Sequence, residues 1–108
     1  MSQVSAKLRK GSIHYMHWCP GCEKAHAIYV SSPAKAVWTF DGNVDAPTFS
    51  PSVRISWNWP DEPETICHYF LTAGQLNFCA DSTHELSGQT VPLPDLPAEM
   101  WDDKWSDS

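Results

Sequence analysis

The 108 residues suffice for one domain but leave a large surface relative to core, so a small chain like this is expected to carry an extra staple. Six tryptophans, and nine prolines against five glycines, argue for short strands and turns and against long helices. The formal net charge of −6 is lopsided: residues 1–54 hold six basic and three acidic groups, residues 55–108 one and ten, balances of +3 and −9. Such an acidic C-terminal half repels phosphate and speaks against nucleic acid there; it suits a basic protein partner.

Residues 1–11, with Lys7, Arg9 and Lys10, read as a mobile arm ending at Gly11. They contain no apolar run of signal-peptide type, and no later stretch is long enough to cross a bilayer, so a soluble, cytoplasmic protein is expected. In a reducing compartment its four cysteines read as metal ligands or thiols rather than as disulfides.

Residues 12–97 form the expected β domain. Ser12 to Trp18 alternates as a strand, with Ile13, Tyr15 and His17 on one face. Cys19-Pro20-Gly21-Cys22 follows as a tight knuckle, and Ala25 to Val30 returns as a second strand bearing His26. Two cysteines at this spacing are half of a tetrahedral zinc site. Cys67 supplies the third ligand and His84 the fourth in the preferred assignment, with His26, His68 and Cys79 as alternatives for the fourth.

Ala36 to Phe40 is a short strand ending in the turn dipeptide Asp41-Gly42. Thr48, Ser50 and Ser52 lie between and beside Pro47 and Pro51, where turn hydrogen bonds are the expected role; no histidine and acid at familiar hydrolase spacing mark them as nucleophiles. Val53 to Trp57 alternates again, and an acidic, proline-spaced loop follows.

Residues 66–71 and 75–80 form a hairpin whose register is open. A two-residue Ala73-Gly74 turn sets His68 opposite Cys79; a three-residue turn from Thr72 sets Cys67 there. Positive φ at Ala73 argues for the longer turn, and the apolar face of Tyr69, Leu71, Leu76 and Phe78 for the shorter. In either register Cys67 and His68 point to opposite faces. Asp81 to His84 is a turn at the hairpin base, Gln89 to Leu93 an edge strand, and Asp95 to Trp101 one short helix. Residues 98–108 make an acidic tail carrying Trp101 and Trp105.

The knuckle, the Pro47-Thr48-Phe49-Ser50-Pro51-Ser52 loop, Cys67-His68, Asp81-Ser82-Thr83-His84 and Gly88-Gln89-Thr90-Val91 occur in this order. As a set they resemble a family of small phage and prophage proteins catalogued as a domain of unknown function, some members of which carry an ammonia monooxygenase label. The likeness spans roughly residues 14–97. It implies a zinc-knuckle domain of mobile-element origin and lends no established activity. A cysteine is often found in that family at the place of Ser82, and an aliphatic residue at that of Cys79.

The resulting expectation is a mainly β, single-domain, zinc-stabilised antiparallel fold with at most one short C-terminal helix. Its function is read as that of a phage-encoded, Zn2+-binding accessory protein. It would bind a basic host or phage protein through its acidic half and interfere with a host process such as defence or transcription. The alternative is a small metal-dependent hydrolase with His26, His68, Asp81 and His84 around the ion.

Overall fold

The computed structural model describes residues 2–31 and 36–101. Among them the chain forms two antiparallel sheets. The first holds β1 (Ser2–Gln3), β2 (Arg9–Lys10), β3 (His14–Cys19) and β4 (Lys24–Tyr29), in that order. The second holds β5 (Thr39–Phe40), β6 (Phe49–Trp57), β7 (Thr65–Thr72), β8 (Gln75–Phe78) and β9 (Thr90–Pro92), again in chain order. One 3-10 turn at Ala98–Met100 is the only helical element among the described residues. The mainly β fold with at most one short C-terminal helix is thus as expected.

Alternation of side chains sets the core. Cys67, Tyr69 and Leu71 of β7, Leu76 and Phe78 of β8, and Phe49 and Val53 of β6 face inward and are buried, while Phe70 and Asn77 face solvent. The first sheet supplies His17, Cys19 and Ile28 to the same layer. Tyr15 closes it from the first sheet, with its ring 5.8 Å from Phe49 and 4.7 Å from Phe40.

A polar pair also crosses the layer. His17 Nε2 and the Tyr69 hydroxyl are 2.6 Å apart, and both residues are completely buried. The Trp18 carbonyl lies 3.2 Å from Nδ1, so Nδ1–H donates there and Nε2 accepts from the tyrosine. Burial pushes the His17 pKa down to about 4, which keeps the ring neutral as this pairing requires.

Within residues 2–11, read from sequence as an arm, β1 pairs with β2 and β2 in turn with β3. The cause is Leu8, which is fully buried, and Ser5. The Ser5 hydroxyl accepts from the Lys7 and Leu8 amides and donates to the Val44 carbonyl at 2.7 Å. The acidic tail lies mostly outside the described residues, which end at Trp101.

The hairpin takes the shorter turn. Thr72 pairs with Gln75 and Tyr69 with Phe78, so Ala73 and Gly74 alone connect the strands, at φ 49° and 75°. The unfavourable φ of Ala73 is offset from outside the hairpin. Its amide donates to Thr48 Oγ1 at 2.8 Å, and the Gly74 amide to the Pro47 carbonyl at 2.9 Å. The apolar face of the shorter register prevails because the proline-bracketed loop holds the turn.

Between Phe49, which pairs with Leu71, and Val53, which pairs with Tyr69, β6 carries Ser50, Pro51 and Ser52 opposite the single residue Phe70. This bulge contains the cis Ser50–Pro51 peptide. Thr39 Oγ1 and Trp38 Nε1 donate to the Ser50 and Ser52 carbonyls at 3.3 and 3.1 Å and hold it against the β5 side. Bulges re-aim side chains, and this one turns Ser52 toward β7.

Candidate active site and metal centre

Cys67 and His68 are neighbours on β7, so one points into the core and the other out of it. Each is the hub of a separate cluster.

On the inner side, Cys19, Cys22, Cys67 and His26 bring one ligand atom each within 4.8 Å of all the others. The knuckle positions the first two: Cys22 N–H points at Cys19 Sγ (3.4 Å), and Glu23 takes φ 56° as its amide bonds back to the Cys19 carbonyl. Cys67 Sγ approaches Cys19 Sγ to 3.8 Å across the layer. The sulfurs behave as a set that holds few negative charges unaided. Hydrogen bonds from Cys22 and Cys67 lower the Cys19 thiol, while the same contact with Cys19 raises Cys67 and pushes Cys22 up to about 11. A dication relieves that conflict. His26 brings one ring nitrogen into this group, and its Nε2 is buried with no hydrogen-bond partner, a costly arrangement. Three sulfurs and a ring nitrogen can therefore hold a metal ion here, and the donor set fits zinc.

His84 lies at the edge of this cluster, its Nε2 3.6 Å from Cys67 Sγ. Its Nδ1 receives the Leu86 amide at 3.2 Å, so Nδ1 is the unprotonated nitrogen and Nε2–H is a donor toward the sulfur. The ring packs over Gly21, where any Cβ would sit within 2.4 Å of it.

On the outer side, His68 Nε2 is 3.1 Å from Ser52 Oγ, and its Nδ1 is 3.0 and 3.1 Å from the two Asp81 carboxylate oxygens. An ionised carboxylate only accepts, so Nδ1 carries the proton and the Nε2 lone pair faces the serine hydroxyl. A nucleophile, a base within its reach and an acid orienting the base form the serine-histidine-aspartate constellation, recognised by geometry rather than by position in the chain.

The base is held firmly. Ser82 Oγ accepts the His68 backbone N–H at 3.0 Å and donates to the His68 carbonyl at 2.9 Å, and the Cys79 amide donates to that carbonyl at 2.8 Å. The exposed Phe70 ring stacks beside the imidazole at 6.4 Å, and Arg54 Nε lies 4.0 Å from Asp81. The site is open on the outer face of the second sheet. The groove at the knuckle, lined by Pro20, Gly21, Glu23, Thr83, His84, Glu85 and Leu86, is elsewhere.

The structure thus divides the four residues of the hydrolase alternative. His68 and Asp81 share the outer site; His26 joins the sulfurs, and His84 lies against Cys67. Ser52 is the residue that sequence reasoning set aside as a turn former. It stands 16 residues before His68, and His68 stands 13 before Asp81, separations without meaning until the bulge and hairpin register are known.

The sequence pattern of the family described as bacterial ubiquitination-like system serine protease (BubE) matches residues 2–79, well over half the chain. That span contains Ser52, His68, Cys19, Cys22 and Cys67, and ends two residues before Asp81. No curated protein and no solved structure matches the chain. The serine at the outer site and the family match agree, and the chain belongs to the family of bacterial ubiquitination-like system serine proteases, BubE.

Proposed function

We propose that this chain is a serine hydrolase acting on a carbonyl that joins the small modifier of a ubiquitination-like system to another group, in peptide, isopeptide or ester linkage. The observation that carries the reading is the aligned chain Ser52 Oγ to His68 Nε2 at 3.1 Å and His68 Nδ1 to Asp81 at 3.0 Å. The hydroxyl proton passes to Nε2 as Oγ attacks the carbonyl carbon. Asp81 stabilises the imidazolium so formed. His68 then returns the proton to the leaving group, and water releases the acyl group from Ser52 by the same two transfers in reverse. A position on an open strand face beside Phe70 suits an extended, protein-borne segment rather than a small enclosed ligand.

Cys19, Cys22, Cys67 and His26 are proposed to hold Zn2+ as a closed structural site, which when filled supplies rigidity rather than chemistry. His26 is preferred to His84 because one of its ring nitrogens lies within 4.8 Å of all three sulfurs, whereas His84 has its Nδ1 engaged as an acceptor. The ion would lock Cys67, and with it the backbone that carries His68. Protein partners follow from the proposed substrate. A phage origin and interference with a host process rest on the resemblance alone, and the outer site favours hydrolysis over interference.

The test is covalent labelling. Incubated with a fluorophosphonate, the folded protein is expected to gain one adduct, mapped to Ser52 by peptide mass spectrometry, and the Ser52→Ala variant none. A folded wild-type protein that gains no adduct, or gains it elsewhere, sinks the reading.

A further inference from the structure

One thiol of the outer face has no part in this chemistry. Cys79 follows β8 at the place that faces His68, and its sulfur, one ligand nitrogen of His68 and a carboxylate oxygen of Asp81 all lie within 4.8 Å of one another. Sulfur, imidazole nitrogen and carboxylate oxygen together are a zinc-type donor set, unlike the all-oxygen sets that suit magnesium or calcium. Tetrahedral bonds to such ligands place them about 3.3–3.8 Å apart. Reaching that spacing takes small shifts, which the half-exposed Asp81 side chain can make.

We propose that His68, Cys79 and Asp81 form a second, inhibitory site for zinc or a similar soft divalent ion, with water in the fourth position. The inference rests on the serine hydrolase reading for its effect, though not for the binding itself. An ion between Asp81 and the imidazole takes the Nδ1 lone pair. The proton of Nδ1 moves to Nε2, and the thiol proton leaves to solvent. Nε2–H then donates to Ser52 Oγ and accepts nothing from it, so the serine loses its base and Asp81 is withdrawn from the imidazole. The sulfur cluster remains filled throughout; the two sites differ in exposure and in ligands, and share only the strand β7.

Two readouts separate binding from inhibition. Equilibrium dialysis of the native protein against zinc is expected to find one equivalent more in wild type than in Cys79→Ser and Cys79→Val, two variants of different polarity, so that a folding defect in one does not decide the matter. The rate of fluorophosphonate labelling of Ser52 is expected to fall by about 10²-fold or more at saturating zinc in wild type, the worth of a lost general base, to stay near its metal-free value in both variants, and to ignore magnesium. Equal zinc content in all three proteins overturns the site. A Cys79-dependent equivalent that leaves labelling unchanged overturns the inhibition, as does equal suppression in the variants. Absence of labelling in wild type without added zinc overturns the serine reading and the inhibitory role with it, while a Cys79-dependent equivalent in dialysis upholds the metal site.

Discussion

Replacing Asp81 with Asn keeps the shape of the outer site and removes the charge that the imidazolium meets in the transition state. The carboxylate oxygens lie 3.0 and 3.1 Å from Nδ1, a charge separation of about 4 Å. Coulomb attraction at that range is about 4 kcal/mol at an effective dielectric of 20 and about 1 kcal/mol in water. His68 and Asp81 side chains are 23% and 48% exposed, so the pair falls between these limits, at about 2–3 kcal/mol after solvent screening. At about 1.4 kcal/mol per tenfold, Asp81→Asn should slow Ser52 phosphonylation roughly 30- to 150-fold. The assay is the second-order labelling rate followed by intact mass, with thermal melting as a control. Melting should hardly change, because the side chain is half exposed and outside the core. Labelling of folded Asp81→Asn at the wild-type rate would refute the assignment of Asp81 as the group that orients and stabilises His68. Arg54, at 4.0 Å and half exposed, should matter less: Arg54→Gln is expected to change the rate by under about 1 kcal/mol equivalent.

Cys67→Ser should abolish zinc content and cooperative melting, since structural zinc is worth about 10–16 kcal/mol in small domains; a zinc-free variant melting like wild type would contradict the structural role. His26→Ala should lose zinc while His84→Ala retains it, read by metal analysis of the purified proteins; the reverse result would make His84 the fourth ligand. Tyr69→Phe leaves His17 Nε2 buried and unpaired, at a cost of about 1–3 kcal/mol, visible as a lower denaturation midpoint. An unchanged midpoint would mean that the pair adds nothing across the two sheets. Gly21→Ala sets a methyl within 2.4 Å of the His84 ring and should cost about 1–3 kcal/mol by displacing it, with zinc content preserved.

Several features were legible in the residue order because they depend on near neighbours. The strands follow from alternation, which is a property of a few consecutive residues: Cys67, Tyr69 and Leu71 point inward wherever β7 is placed. The Cys19-Pro20-Gly21-Cys22 knuckle announces its use because both ligands sit in one turn. That Cys67 and His68 serve different faces follows from the pleat alone. Tertiary structure decided what joins these pieces. Ser52 reads as a turn residue until three residues of β6 are set against one of β7, and only that bulge brings its hydroxyl to His68. The hairpin register pits a strained Ala73 against an apolar face, and hydrogen bonds donated by the Ala73 and Gly74 amides to Thr48 and Pro47, some 25 residues away, tip the balance. Residues 2–11 look like a polar arm because the burial of Leu8 depends on a core cluster completed by the distant Leu93 and Val44, and the backbone around it is tied down by Ser5 and Ala6 bonding to Val44 and Leu96. Local geometry is written in consecutive side chains, whereas a catalytic contact is a coincidence of distant segments, created only when the sheets close on one core.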